Sequence, residues 1–216
     1  MSKVRQMFMN STRSDTTQRL LATCGIVGPI SYAIVVIILG FLQPGYNHIT
    51  HRLSELGEAS GQNAIVMNTA GVALLGILMV AFAFGLHRGI GEGKGSKIGP
   101  ALLALSGAAW VMTGIFPRDP VWGDVSMVGI THSVFTIISA VAMILALLAL
   151  SPRLNRDSLW RGYQYYSLAT AIVAGVISAV YGFKVLEQWI GALQRVLMGV
   201  LLLWVEVMAI RLLRLS

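Results

Sequence analysis

Among the ionisable side chains inside long apolar segments of this sequence, three matter most: His132, Arg195 and Glu206. Placing such a group in lipid costs about 2.5–3.5 kcal/mol on insertion scales, so each one marks a candidate functional site. Arginine keeps its proton and therefore requires an acceptor. We expect Arg195 to pair with an acid from a neighbouring loop, with Glu55 the first candidate and Asp119 the second. A bound anion or a lipid phosphate is the alternative acceptor.

Imidazole and carboxylate groups suggest two further kinds of chemistry. His132, Asp119 and Glu55 are the candidate catalytic residues of an intramembrane hydrolase. His51 and His132 are weak candidate zinc ligands, because zinc takes three or four nitrogen, oxygen or sulfur donors and the spacing here is not diagnostic. A neutral His132 that is hydrogen-bonded between helices is the favoured interpretation. The sequence predicts no metal and no cofactor, and it leaves open whether the protein is an enzyme.

The elements that carry these residues follow from composition. The chain is 56% apolar and 12% charged, whereas soluble domains are about 25% charged, which indicates a membrane protein. A hydrocarbon core about 30 Å thick needs roughly 20 apolar residues in a helix, and in lipid the backbone must be paired within each segment. The predicted fold is therefore all-α, a six-helix transmembrane bundle. We expect an N-terminal arm at 1–19 and one domain at 20–213, with spans of about 20–42, 64–86, 98–116, 126–150, 163–183 and 189–213.

The orientation is predicted from the lysines and arginines between the spans, because cytoplasmic loops carry more of them. Twelve lie in the N-terminal arm, the second and fourth connectors and the tail: Lys3, Arg5, Arg13, Arg19, Arg88, Lys94, Lys97, Arg153, Arg156, Arg161, Arg211 and Arg214. Three lie in the other connectors: Arg52, Arg118 and Lys184. We therefore expect a multi-pass protein of the cell membrane with both termini cytoplasmic.

Four spans each place one polar side chain at a similar depth below the predicted outer surface. At about 1.5 Å per residue, Asn68 and Thr113 lie about 5–6 Å deep, and His132 and Arg195 lie about 9 Å deep. If they converge, they form a polar cup under the outer loops, and the polar stretch 51–63 is its lid or wall. The predicted ligand-binding residues are Glu55, Asn68, Thr113, Arg118, Asp119, His132 and Arg195.

Three function classes remain. The net charge of +7 is scattered over short connectors, so nucleic-acid binding is not expected. We favour a protein that binds a lipid headgroup, an anion or a membrane partner in the outer cup, with the bilayer and an anionic lipid or small anion as partners. An intramembrane hydrolase is the second class and a small transporter the third. A proton path towards Glu206 would suit the transporter, but a structural role of Glu206, such as a contact with Arg211, is favoured.

Several short motifs, taken in order, resemble the bacterial and archaeal membrane family known as domain of unknown function 998. They are "SELG" in the first outer loop, Asn68 in the next span, "GIFPRD" at the end of the third span, His132 after a short loop, and "QRVLMGVLLLW" in the last span. The resemblance covers about residues 20–213. It implies a six-helix integral membrane protein and supplies no activity, substrate or catalytic residue.

Overall fold

The computed structural model describes residues 3–91 and 97–216, with side chains described from residue 15 onward. Lys94, which entered the charge comparison, lies outside the described residues, as do the side chains of Lys3, Arg5 and Arg13. The described chain is helical and contains no β-strand. Six helices in it are long and apolar enough to cross a membrane, so the predicted class of a multi-pass helical membrane protein is confirmed.

The helices are connected by short loops. Their bounds are α1 Lys3–Leu42, α2 Ala64–Gly89, α3 Ile98–Ile115, α4 Met127–Arg156, α5 Tyr163–Gly182 and α6 Ile190–Leu215. Because α1 begins at Lys3, residues 3–19 continue the first span as one helix. We call the end of the bundle with loops 43–63, 116–126 and 183–189 the odd-loop end, and the opposite end the even-loop end.

Helix α2 contains an irregular stretch near the odd-loop end. Residues Met67–Ala73 form a π-helix, in which the turns are wider than in an α-helix. Such segments are rare and occur frequently at functional sites. Asn68 lies on this stretch and is buried, so its side chain is presented from a distorted part of the helix.

Close helix contacts hold the centre of the bundle. A Cβ atom on Gly76 of α2 would lie 2.5 Å from the carbonyl oxygen of Gly107 of α3, and one on Gly107 would lie 2.7 Å from that of Gly76. Only glycine fits at this crossing, which resembles the small-residue contacts of membrane helices. Trp204 of α6 is fully buried and donates a hydrogen bond to Ser167 Oγ of α5 at 2.9 Å. These contacts fix the helices that carry the odd-loop end.

Candidate functional site

An open cleft of about 490 Å³ lies at the odd-loop end. Its lining residues come mainly from the first loop and are Gln43, Pro44, Gly45, Tyr46, Thr50, His51, Arg52, Glu55, Glu58, Pro120, Val121, Trp122, Glu187 and Ile190. At its edge the Trp122 side chain is 98% exposed. The stretch 51–63 thus supplies much of the wall of this cleft.

The first loop is fixed to α6 by hydrogen bonds of its backbone. The Ala192 N–H donates to the Ile49 carbonyl at 3.0 Å, and the Leu53 N–H donates to Gln194 Oε1 at 2.7 Å. Gly191 permits this approach, because a Cβ atom there would collide with the His51 carbonyl oxygen. Leu53 and Leu56 are buried. The loop is therefore a packed part of the bundle.

Arg195 is bound by the first loop, but not by a carboxylate. Its Nη1 donates to the carbonyl oxygens of His51 and Gly191, each at 2.9 Å, and its Nη2 donates to the Tyr46 hydroxyl at 2.5 Å. Burial raises the pKa of Tyr46, and the neighbouring Arg195 guanidinium acts in the opposite direction. The predicted ion pair of Arg195 with Glu55 or Asp119 is wrong, because carbonyl and hydroxyl oxygens supply the acceptors.

Glu55 instead pairs with Arg118 of the third loop. The distance from Arg118 Nη1 to Glu55 Oε1 is 3.2 Å, and that to Glu58 Oε1 is 3.8 Å. The backbones of the two loops also meet, because the Ala59 N–H donates to the Arg118 carbonyl at 3.0 Å. Burial raises the pKa of Glu58, while Arg118 acts in the opposite direction. Two carboxylates therefore share one guanidinium beside the cleft.

Arg52 is the guanidinium that lines the cleft itself. It forms no ion pair with any described residue, and its Nε is buried without a hydrogen-bond partner. The Arg52 guanidinium interacts electrostatically with Tyr181, so the first loop also approaches α5. No functional role was predicted from the sequence for Arg52, Tyr46 or Tyr181. Nothing in their spacing distinguishes them from ordinary residues of a membrane interface.

Asp119 holds Ser126, the N-cap residue of α4. Its Oδ2 accepts a hydrogen bond from the Ser126 N–H at 2.8 Å and its Oδ1 accepts one from the Ser126 hydroxyl at 2.6 Å. Ser126 Oγ in turn accepts from the Gly129 N–H at 3.1 Å, as an N-cap residue does. The hydrogen bonds from Ser126 lower the pKa of Asp119. Both oxygens of Asp119 are thus engaged at the start of α4.

Asn68, Thr113 and His132 are each buried and bonded to a backbone carbonyl. Asn68 Nδ2 donates to the Gly57 carbonyl at 2.9 Å, and the Thr113 hydroxyl donates to the Ala109 carbonyl at 2.9 Å. His132 Nδ1 lies 2.8 Å from the Phe116 carbonyl oxygen. These three residues and Arg195 are not among the residues that line the cleft. Their role as ligand-binding residues stays a prediction.

The histidine and acid groups that suggested metal or hydrolase chemistry lie in separate contacts. His51 stacks on the Tyr46 ring with centroids 5.5 Å apart, and its Nδ1 accepts from the Asn47 N–H at 2.8 Å. In the described part of the chain, no group of three or more His, Cys, Asp or Glu side chains could hold a metal ion. His132 is bonded to a carbonyl group, whereas Asp119 accepts hydrogen bonds from Ser126.

Glu206 lies half-buried on α6, on the even-loop side of Arg195. An ion pair with Arg211, one of the structural roles considered for Glu206, is not formed among the described residues. Arg211 Nε donates to the Leu159 carbonyl at 3.1 Å, and its guanidinium lies over the Tyr163 ring at 5.7 Å from the centroid. Glu206 is therefore outside the cluster at the odd-loop end.

The comparisons with known proteins agree with this architecture. The family model described as "Protein of unknown function (DUF998)" matches residues 26–211. The chain belongs to this family, as the resemblance of its motifs suggested. No curated protein and no solved structure matches the chain. The family supplies no activity, so the function must be argued from the site.

Proposed function

We propose that this membrane protein binds the headgroup of a zwitterionic phospholipid in the cleft at the odd-loop end. The mixed charge of the cleft carries this proposal. Arg52 lines the cleft without a carboxylate partner, while Glu55 and Glu58 share the single guanidinium of Arg118. A phosphate group can pair with Arg52, because guanidinium binds phosphate well. An ammonium group can pair with the negative charge that Arg118 alone does not balance on Glu55 and Glu58.

A free anion is a less suitable ligand for the same cleft. Three glutamates line it, Glu55, Glu58 and Glu187, and Lys184 Nζ lies 3.7 Å from Glu187 on the exposed edge. The carboxylates of these glutamates repel an anion that enters the cleft. A headgroup that carries both signs avoids this repulsion, and the exposed Trp122 is typical of an aromatic residue at a membrane surface.

The proposed orientation places the lipid in the leaflet next to the odd-loop end. The positive-inside bias of the sequence predicts that this is the outer leaflet. The cleft would then hold the phosphate near Arg52 and the ammonium near Glu58. The rigid attachment of the first loop to α6 supports binding, because a preformed site loses little conformational freedom when the ligand arrives.

Native mass spectrometry of the purified protein tests the proposal with defined lipids. We expect phosphatidylethanolamine to be retained better than phosphatidylglycerol, and diacylglycerol, which lacks phosphate, to be retained least. Arg52→Gln should weaken retention of phosphatidylethanolamine by about tenfold, as expected for the loss of one charge-assisted contact. Arg161→Gln removes the same charge in the fourth loop and serves as the control.

Two results would contradict the proposal. One is equal retention of the three lipids by the unmodified protein. The other is an Arg52→Gln variant that keeps the full preference for phosphatidylethanolamine over diacylglycerol. A Glu58→Gln variant addresses the ammonium contact separately, because it should reduce the preference for phosphatidylethanolamine over phosphatidylglycerol and leave phosphate recognition intact.

A further inference from the structure

A second cavity, of about 400 Å³, lies within the bundle between α4, α5 and α6. Helix α5 packs against both α4 and α6, and residues of α4 and α6 line the cavity from opposite sides. Its lining is mostly apolar, with Met79 and Trp110 contributed by α2 and α3. Apolar cavities of roughly 300–1,000 Å³ with few polar groups are typical small-molecule sites.

The cavity extends from the odd-loop end into the hydrophobic interior. Gln194 and Leu202 of α6 both line it. At about 1.5 Å per residue, Leu202 lies about 18 Å from the start of α6, past the middle of a hydrocarbon core about 30 Å thick. On α4 the lining residues Ile137 and Val141 are 63% and 50% exposed. The cavity is therefore bordered by residues that also face the lipid.

Most of the polar groups that line the cavity lie towards one end. Tyr181 and Gln194 lie within the turns of α5 and α6 next to the odd-loop end. Gln194 Oε1 accepts from the Leu53 N–H, and Tyr181 interacts electrostatically with Arg52. The buried hydroxyl of Ser178 has no hydrogen-bond partner. Deeper in the cavity the lining hydroxyls of Thr136 and Ser139 are bonded within the bundle, to the His132 carbonyl and to Ser106. The polar groups at the odd-loop end lie beneath the first loop, and the rest of the lining is mostly apolar.

The first loop lies between this cavity and the cleft. Arg52 lines the cleft, and the adjacent Leu53 N–H donates to Gln194, which lines the cavity. We infer that the cavity holds one acyl chain of the phospholipid whose headgroup lies in the cleft. This inference rests on the proposed function, and it adds that the ligand is recognised by its chain as well as by its headgroup.

The polarity of the cleft and the cavity together matches that of a phospholipid along its length. An acyl chain is apolar over its length and carries a polar headgroup at one end. In the same way, the cavity is mostly apolar and meets the polar first loop at one end. The surrounding lipid is as apolar as the cavity. The chain is therefore favoured in the cavity over the bilayer by close packing and by the contacts of its headgroup.

Quenching of Trp110 fluorescence tests the inference. Lysophosphatidylethanolamine with a brominated acyl chain is titrated into delipidated protein in a detergent without bromine. We expect saturable quenching, and Trp110→Phe should remove that component. Gly182→Leu should abolish it, because Gly182 lines the cavity and has open space at its Cβ position. Gly175→Leu is the matched control, since Gly175 also has open space and is not among the lining residues.

A second variant protects the test against misfolding. Ala140→Leu extends a side chain into the cavity from α4 and should also abolish the saturable component. The inference is overturned if the unmodified protein gives no saturable quenching, or if Gly182→Leu and Ala140→Leu are both quenched like the Gly175→Leu control.

A brominated monoacylglycerol, which has the chain but no phosphate, separates this inference from the proposed function. If it quenches Trp110 as well as the phospholipid does, and Arg52→Gln has no effect on either, the cavity is a chain site and the headgroup proposal fails. If phosphatidylethanolamine is retained in an Arg52-dependent manner while Trp110 is never quenched, the headgroup proposal stands and the chain site fails.

Discussion

The Tyr46 hydroxyl lies 2.5 Å from Arg195 Nη2, and the Tyr46 ring centroid lies 5.4 Å from Arg195 Cζ. Hydrogen bonds to charged groups contribute about 1.5–3 kcal/mol. We expect Tyr46→Phe to lower the free energy of unfolding in detergent by about that amount. Tyr165→Phe is the control, because that side chain is 71% exposed. Equal stability of the two variants in a chemical unfolding assay would show that the Arg195 contact contributes nothing.

The ion pair between Arg118 and Glu55 gives a prediction about coupling. Arg118→Ala and Glu55→Ala should lose less together than the sum of the single losses, by about 0.5–3 kcal/mol, because the two side chains are in contact. Arg195→Ala and Glu55→Ala should be close to additive, since Arg195 bonds to carbonyl and hydroxyl oxygens. Coupling between Arg195 and Glu55 that exceeds the Arg118–Glu55 coupling would contradict the observed contacts.

Asp119 should contribute stability that depends on pH. Its pKa is lowered by hydrogen bonds from Ser126, so the contribution is present above its ordinary value of 3.8 and is lost as pH falls through the lowered pKa. Asp119→Ala should therefore lower Tm at pH 7, and the difference should shrink in strong acid. Asp124→Ala, in the same loop and exposed, should leave Tm nearly unchanged. A similar Tm loss in both variants would remove the capping role.

Glu58 is expected to behave in the opposite way. Burial raises its pKa, so the folded protein binds the proton more tightly than the unfolded chain, and ionisation costs stability as pH rises above 4.5. Glu58→Gln should raise Tm at pH 7 in lipid-free detergent. Below pH 4.5 the Tm of the variant should match that of the unmodified protein. A lower Tm of the variant at pH 7 would mean that the Arg118 contact outweighs burial.

The orientation is predicted from loop charge and is tested by cysteine labelling. With Cys24 replaced by Ala, a cysteine at Ser60 should react with a membrane-impermeant reagent in intact cells. One at Ser158 should react only after permeabilisation. Both positions are exposed. The reverse pattern would place the odd-loop end inside.

Hydrophobic length was sufficient to predict the six helices, because each apolar segment must bury its own backbone polar groups in lipid. It could not define the helix ends that extend beyond the hydrocarbon. Helix α4 continues from Leu150 to Arg156, where Ser151 donates to the Gln164 carbonyl at 2.9 Å and Arg153 donates to the Gly91 carbonyl. The π-helix at Met67–Ala73 also has no signal in composition.

The end of the bundle at which Arg195 and Glu55 lie was predictable, but their partners were not. The sequence located Arg195 and Glu55 near the odd-loop end, yet it could not show that loop carbonyls would satisfy the arginine. Carbonyl groups are present at every residue, so their availability depends on how the chain turns. Tyr46 and Tyr181 were missed for a similar reason, since a tyrosine near a membrane surface is common. Direction around a helix, unlike depth, requires the packed structure.

A structure of the protein in nanodiscs of phosphatidylethanolamine tests the central claim most directly. The account predicts density for a headgroup in the cleft, with phosphate beside Arg52, and density for one chain between α4 and α6. A cleft without lipid density, in a map that resolves lipids around the rest of the bundle, would contradict it.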